Sequence, residues 1–153
     1  MAKEEVVDML LTEKESALSG LADERYISIT TFRHDGSPAS TPVWVVSDDP
    51  RRLLVATGPN TWKVRRIREN PRVRVAGCNA RGTIHGESVD GLARLVDEET
   101  LVRRLQLEKY GWQMRLIEWS YELVSRIRRK PREEAVFIEV VAAPDDARAV
   151  RAA

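Results

Sequence analysis

The sequence predicts a mainly β protein, a small closed or partly closed barrel with helices around it. Two observations predict this class. Short segments rich in β-branched and aromatic residues recur between turn signals, most clearly at residues 25–32 (RYISITTF) and 72–78 (RVRVAGC). Two longer segments toward the end of the chain carry apolar residues at helical spacing. The 153 residues, 42% of them hydrophobic, are enough for one domain with a substantial core.

The predicted elements follow one another closely. A helical segment over about 3–22 ends near Gly20, and Asp35-Gly36 closes the first hairpin. Strands are predicted over 25–32, 39–46, 52–57, 72–78 and 136–141, a turn over 47–50, an extended Gly-punctuated stretch over 80–96, a short cationic helix before Asn70-Pro71, and helices over 98–110 and 112–130. The first four strands predict an antiparallel meander. We expect a single domain over 1–153, with a barrel core over about 25–142 and a loose tail over 143–153.

The charge is unevenly distributed along the chain. The net charge is only +1, but residues 1–25 hold seven acids against three bases, and residues 63–74 hold six bases against one acid. This asymmetry favours a local anionic ligand over a basic surface for nucleic acid. The bases of residues 63–74 follow Thr57-Gly58, where backbone N–H groups are expected to be accessible. Lys63 and Arg66 are three residues apart and share a helix face, so this stretch predicts a phosphate cradle.

Other classes of site and location are disfavoured. A single cysteine, Cys78, excludes an intramolecular disulfide and a multi-cysteine metal site. With His34 and His85 as the only imidazoles, no metal site is predicted. No nucleophilic triad or paired carboxylate site is visible, so we nominate no catalytic side chain. The N-terminal residues lack the apolar core of a signal peptide and no stretch is long enough to cross a membrane, so we expect a cytoplasmic protein without membrane or nucleic-acid partners.

Three ordered motifs carry a family resemblance. They are TPVW at 41–44, LVATG at 54–58 and KVRRIRENPRVRVA at 63–76. Together they resemble the pyridoxamine-5′-phosphate-oxidase-like split β-barrel proteins, which are similar to the FMN-binding proteins, and within them the branch of reductases that use the deazaflavin coenzyme F420. The resemblance covers about residues 25–141 and implies a homodimer with two cofactor sites at the subunit interface.

The resemblance also implies a set of cofactor-binding residues. The phosphate side of the cofactor would contact Thr57, Gly58, Lys63 and Arg66, and its ring would lie along residues 41–44. The complete predicted set is Thr41, Pro42, Val43, Trp44, Thr57, Gly58, Lys63, Arg66, Ala76 and Cys78. One departure is Trp62, because the family usually has a small residue before the lysine.

Several of these residues also have plain structural interpretations. Trp44 is equally typical of a barrel core, and Cys78 of a small buried apolar residue. His34 is expected in an exposed turn, whereas His85 could face the cleft. Trp112, Trp119 and Tyr121 are expected to pack on the barrel or on a partner subunit, or to line a substrate pocket. The basic run over 126–132 is expected at the surface, where it could also meet a long anionic tail of the coenzyme.

Three functions remain open on the sequence alone. The first is an F420-dependent reductase that transfers a hydride to a small unsaturated molecule, with the chemistry supplied by the cofactor. The second is an FMN-dependent oxidoreductase of the same fold. The third is a non-catalytic cofactor carrier or a nucleic-acid-binding module, whose affinity would fall steeply with salt. Oxidation of vitamin B6 is disfavoured, since the expected C-terminal pattern for that substrate is missing.

Overall fold

The computed structural model describes residues 13–113, 115, 116, 119, 123 and 135–144. The start of the predicted N-terminal helix, most of the helix predicted over 112–130, and all of the predicted tail except residues 143 and 144 lie outside the described residues. The described residues form seven strands: β1 (Tyr26–Phe32), β2 (Pro38–Val43), β3 (Val46–Asp49), β4 (Arg52–Thr57), β5 (Arg72–Cys78), β6 (Val89–Val96) and β7 (Val136–Ala142). The helices are α1 (residues 13–20), α2 (Trp62–Glu69) and α3 (Glu99–Tyr110), with a 3₁₀ turn at Leu21–Asp23. A late helical segment, residues 112–123, is helical at each of its described positions.

All seven strands form one antiparallel sheet in the order β2-β1-β5-β6-β7-β4-β3. The two edge strands, β2 and β3, are consecutive in the chain and are separated only by Trp44 and Val45. The sheet must therefore curl until its two edges approach each other, which makes a barrel that is open along one seam. The predicted fold class, a split β-barrel with peripheral helices, is confirmed.

The predicted antiparallel meander is wrong. The segment predicted as one strand over 39–46 breaks at Trp44 and Val45, and residues 46–49, most of the predicted turn, form β3. The break is stabilised by Tyr110 on α3, because the backbone N–H of Val45 donates to the Tyr110 hydroxyl (3.0 Å) and that hydroxyl reaches the Arg25 carbonyl oxygen (2.8 Å). A distant side chain thus replaces a neighbouring strand as the hydrogen-bond partner, and no local sequence signal marks it.

The stretch predicted as extended over 80–96 is a strand only in its second half. β6 begins at Val89, and residues 79–88 form a loop that returns to the sheet through a single bridge between Cys78 and Ile84. Two glycines in left-handed conformations, Gly82 (φ 88°) and Gly86 (φ 85°), turn the loop. The loop lies over the outer side of the barrel, where Gly82 approaches Pro42 on β2.

The strand register separates the side chains into an inner and an outer set. Alternate residues such as Ile27, Ile29 and Val43 point inward and form the barrel core with Val75 and Val140. The opposite set on β3, β4 and β7 packs under α3 as a second apolar cluster. Among the described residues, no helix has the length and apolar character needed to cross a bilayer.

Candidate functional site

The cationic pair lies on α2, a two-turn helix. The helix begins after Thr61, whose hydroxyl donates to the Gly58 carbonyl oxygen (3.2 Å) and holds the turn that follows β4. Val64 and Ile67 on α2 are buried, and Ile67 belongs to the barrel core. Because these two residues anchor α2, Lys63 and Arg66 flank the buried face and are half-buried.

The electrostatics of the pair are unfavourable in the protein alone. Burial, and next the positive charge of Arg66, lower the pKa of Lys63 below its ordinary value of 10.5. Across residues 13–113 and the other described positions, no carboxylate forms an ion pair with Lys63 or Arg66. Arg52, by contrast, contacts three carboxylates, those of Asp48, Glu98 and Glu139. A bound anion would relieve the repulsion between the two cations, so the pair has the character of a binding site.

Two further members of the predicted set, Thr41 and Thr57, lie on the inner face of the sheet. Arg66 contacts the Thr31 hydroxyl on β1 (3.4 Å). Thr31 pairs with Ala39 in the β1–β2 ladder, and Thr41 is the next inward residue of β2, so Thr41 is a diagonal neighbour of Thr31. Thr57 is the last residue of β4, immediately before Gly58 and the turn into α2. Thr31 and Thr57 thus lie next to α2, and Thr41 lies one step further along the inner face of β2.

Other members of the predicted set lie on the opposite face of the sheet. Pro42 and Ala76 both pair with Ser28, which puts all three on the outer face, and Cys78 follows Ala76 on that side. A cavity of about 230 Å³ opens there, and its lining combines hydroxyl, apolar and cationic side chains: Ser28, Thr30, Pro38, Ser40, Arg74, Ala76, Ile84 and Ser88. Cys78 is buried, and burial raises the pKa of its thiol, which disfavours a nucleophilic role.

The tryptophans next to the motifs have distinct positions. Trp44 stacks on Tyr110 (ring centroids 4.2 Å apart, planes 8° apart) and is partly buried against the cluster under α3. The Trp62 indole is 66% exposed, and the Arg65 guanidinium lies 5.1 Å from its ring centroid. In the protein alone, Trp44 therefore has a packing role, and Trp62 presents an aromatic surface beside the cationic pair.

The two histidines pair with carboxylates away from α2's buried face. His34 lies 3.0 Å from Glu69, and both side chains are exposed. His85 lies 2.9 Å from Glu24 and ties the 79–88 loop to the segment before β1. The sequence did not identify Thr31 or the outer hydroxyl pair Thr30 and Ser40 (2.7 Å apart), although the alternation of small polar residues in ISITT was a usable signal.

The curled antiparallel sheet, open between β2 and β3, defines a split β-barrel, and α2 presents two cations that form no ion pair among the described residues. The family model described as pyridoxamine 5′-phosphate oxidase matches residues 13–143, and the chain belongs to this family, which includes oxidoreductases. The family resemblance that the sequence motifs indicated is confirmed.

Solved structures show the same fold at low sequence identity. A putative pyridoxamine 5′-phosphate oxidase from Listeria innocua is 18% identical, with 85% of this chain and 93% of that chain covered and a TM-score of 0.52. An F420 reductase is 19% identical (82% and 92% covered, TM-score 0.53). The General Stress Protein 26 from Bacillus anthracis is 22% identical (88% and 89% covered, TM-score 0.52). No curated protein sequence matches the chain significantly.

Proposed function

We propose that this protein is an oxidoreductase that binds the deazaflavin coenzyme F420 and transfers a hydride between it and a small unsaturated molecule. The observation that carries the proposal is the half-buried pair Lys63 and Arg66, which repel each other and have no carboxylate partner among the described residues. A phosphate group is the ligand that best fits two converging cations beside hydroxyl groups and a glycine turn. The deazaflavin ring supplies the hydride when the coenzyme is bound.

The protein's own residues would act by binding and orienting. Lys63 offers a point charge and Arg66 a planar fork, and Thr57 and the backbone at Gly58 add donors. The resemblance assigns residues 41–44 to the ring. Val43 is partly buried against the barrel core, and β2 is an edge strand, so its free edge and its outer face are both available for contacts with a ligand. No proton donor is assigned, since hydride transfer from a bound cofactor does not require a fixed one.

The alternative cofactor is FMN. Its single phosphate monoester suits the same pair of cations, so the phosphate site alone does not select between the two cofactors. The likeness to a protein named as an F420 reductase supports the deazaflavin. We further propose that the protein acts as a homodimer whose cofactor sites lie at the subunit interface, as the family resemblance implies.

Equilibrium titration of the purified protein with F420 and, separately, with FMN tests this function. Replacing both cations (Lys63→Ala with Arg66→Ala) should weaken F420 binding about 100-fold or more, because each charge-assisted contact contributes about 1.5–3 kcal/mol. Arg68→Ala is the matched control, since it removes an exposed cation from the same helix and should change affinity less than threefold.

Each outcome has a defined meaning. Preference for FMN would retain the site and change the cofactor. Binding of neither, or equal binding by the double variant, would refute the cofactor site. Tight binding of reduced F420 without any gain of the oxidised deazaflavin absorbance on addition of unsaturated hydride acceptors would indicate a carrier in place of an enzyme.

A further inference from the structure

The loop between β5 and β6, residues 79–88, crosses the sheet at the outer cavity. It leaves the end of β5, and its Gly82 approaches Pro42 on β2. Because β1 lies between β5 and β2 in the sheet, the loop must pass over β1. The outer cavity opens along this path, and the loop contributes two of its lining residues, Ile84 and Ser88. The strands therefore form the floor of the cavity, and the loop forms part of its wall.

The loop is organised internally by Asn79. The side-chain oxygen of Asn79 accepts hydrogen bonds from the backbone N–H groups of Arg81 (2.9 Å) and Thr83 (3.0 Å). Its backbone N–H donates to the Thr83 carbonyl oxygen (3.1 Å), and its carbonyl oxygen accepts from the Gly82 N–H (3.0 Å). A loop with such internal hydrogen bonds is compact and can move as a unit without losing its shape.

Within the described part of the chain, the hydrogen bonds and the bridge that join the loop to the rest of the protein are concentrated at Ile84 and His85. Ile84 forms the bridge with Cys78, and the backbone N–H of His85 donates to the Gly77 carbonyl oxygen (2.9 Å). Ile84 remains 49% exposed although it lines the cavity. Segments that bury little apolar surface open locally at a lower free energy than core strands do. The loop is therefore a candidate for opening while the barrel stays folded.

The side chain of His85 adds a contact with the segment before β1. Its Nε2 lies 2.9 Å from a carboxylate oxygen of Glu24. The pair lies directly over Gly77 on β5, where a Cβ would be 2.9 Å from the Glu24 carboxyl group and 3.1 Å from Nε2 of His85. Gly77 thus provides the space in which the pair forms on the sheet.

We propose that the 79–88 loop is a lid over the outer cavity, which opens to admit a ligand and closes with the His85–Glu24 pair as its latch. Closure brings Ile84 over the ligand and excludes water from it. Gly82 and Gly86, both in left-handed conformations, flank Ile84 and are the hinge positions. The identity of the ligand, the cofactor ring, rests on the proposed function, whereas the movement of the loop does not.

The thiol of Cys78 reports opening of the lid in the absence of any ligand. Cys78 forms the bridge with Ile84, is 3% exposed and is the single cysteine of the chain. Its rate of reaction with N-ethylmaleimide should rise about fivefold in His85→Ala, the effect of losing one partly exposed ion pair. Burial and next the charge of Glu24 raise the pKa of this thiol. Because His85→Ala leaves that charge in place, a faster reaction would report access to the thiol.

Two further variants complete the comparison. Gly77→Ala places a methyl group where the latch forms and should accelerate the reaction to a similar extent, although it keeps both side chains of the pair. His34→Ala is the matched control, because it removes the other histidine–carboxylate pair, that with Glu69, and should leave the rate within about twofold. Melting temperatures equal to that of the wild type establish that the labelling reports local opening. Dissociation of F420 from His85→Ala, followed by stopped-flow fluorescence, should also be about fivefold faster.

Each result supports or overturns the proposal. Unchanged labelling in both His85→Ala and Gly77→Ala would overturn the latch, and so would an equal acceleration in His34→Ala. Faster labelling combined with wild-type F420 dissociation would show a loop that opens without covering the ligand, so the lid would be wrong. Binding of neither F420 nor FMN would refute the proposed function, and the labelling rates of the free protein would then decide on the lid by themselves.

Discussion

Lys109 on α3 hydrogen-bonds to two separate backbone segments, the one before β1 and the break between β2 and β3. Its ammonium group donates to three carbonyl oxygens, those of Ala22 (2.8 Å), Glu24 (2.6 Å) and Val45 (2.6 Å). Burial lowers the pKa of Lys109, because the ammonium group loses hydration in the fold. The three hydrogen bonds offset this loss of hydration. One side chain thus links α3 to the segment before β1 and to the break between β2 and β3.

We expect Lys109→Met to destabilise the protein by about 3 kcal/mol. Methionine keeps the apolar stem but removes all three donors, and each hydrogen bond is assigned about 1 kcal/mol because the half-buried carbonyl oxygens regain some water. For a domain of this size the melting temperature should fall by about 9 °C, at roughly 3 °C per kcal/mol.

Urea unfolding followed by tryptophan fluorescence measures the effect as a free energy. Arg104→Met, an exposed position on the same helix, is the control and should remain within about 0.5 kcal/mol of the wild type. If Lys109→Met cost no more than Arg104→Met, the three carbonyl contacts would contribute nothing to stability, and the structural role assigned to this lysine would be wrong.

Three further predictions concern the barrel and the cationic pair. Arg94 and then Arg52 hold the pKa of Glu139 below its ordinary value of 4.5. The ionised carboxylate therefore stabilises the fold above pH 4.5, and this stabilisation is lost as the pH falls through the lowered pKa. In a plot of unfolding free energy against pH, Glu139→Gln should show a flatter acid side than the wild type. Gly91→Ala should cost about 1–3 kcal/mol in urea unfolding, because its Cβ would lie 2.9 Å from a backbone oxygen of β7, whereas Gly20→Ala, with open space around it, should be neutral or stabilising. In alkaline solution, the affinity for inorganic phosphate should begin to fall at a lower pH for the wild type than for Lys63→Arg, because the pKa of Lys63 lies below 10.5.

The sequence was informative wherever a local pattern decides the structure. β1 and β5 begin and end within a residue of their predicted bounds, because β-branched alternation and flanking turns fix them. α3 ends at Tyr110, just before Gly111 as predicted, and the two cations share one side of α2. Each of these features is determined by residues a few positions apart in the chain, and such local patterns can be recognised in a single sequence.

Long-range pairing could not be predicted in the same way. The division of 39–46 into β2 and the start of β3 depends on Tyr110, which lies 65 residues away from Val45. The division of the predicted site between two faces depends on the register of β1 against both β2 and β5, and no single strand shows it. A set of residues inferred by resemblance therefore carries no information on which face of the sheet each member occupies.

The outer cavity beside Ala76 offers a final prediction, which decides where a cofactor ring contacts this chain. Val43 is partly buried against the barrel core, whereas Ala76 lines a cavity of about 230 Å³ on the outer face, so we expect a ring along residues 41–44 to use the outer face. Ala76→Leu would fill part of that space and should weaken F420 binding at least tenfold while leaving affinity for inorganic phosphate unchanged.

Ser40→Phe, on the more exposed rim of the same cavity, should act in the same direction without disturbing buried packing. Ala80→Leu, at an exposed loop position, is the control. If both cavity variants bound F420 as tightly as the wild type, the ring would not occupy the outer face. Its contacts would then come from the inner face of β2 or from its free edge, where the backbone, and not the side chains of Ala76 or Cys78, is available to a ligand.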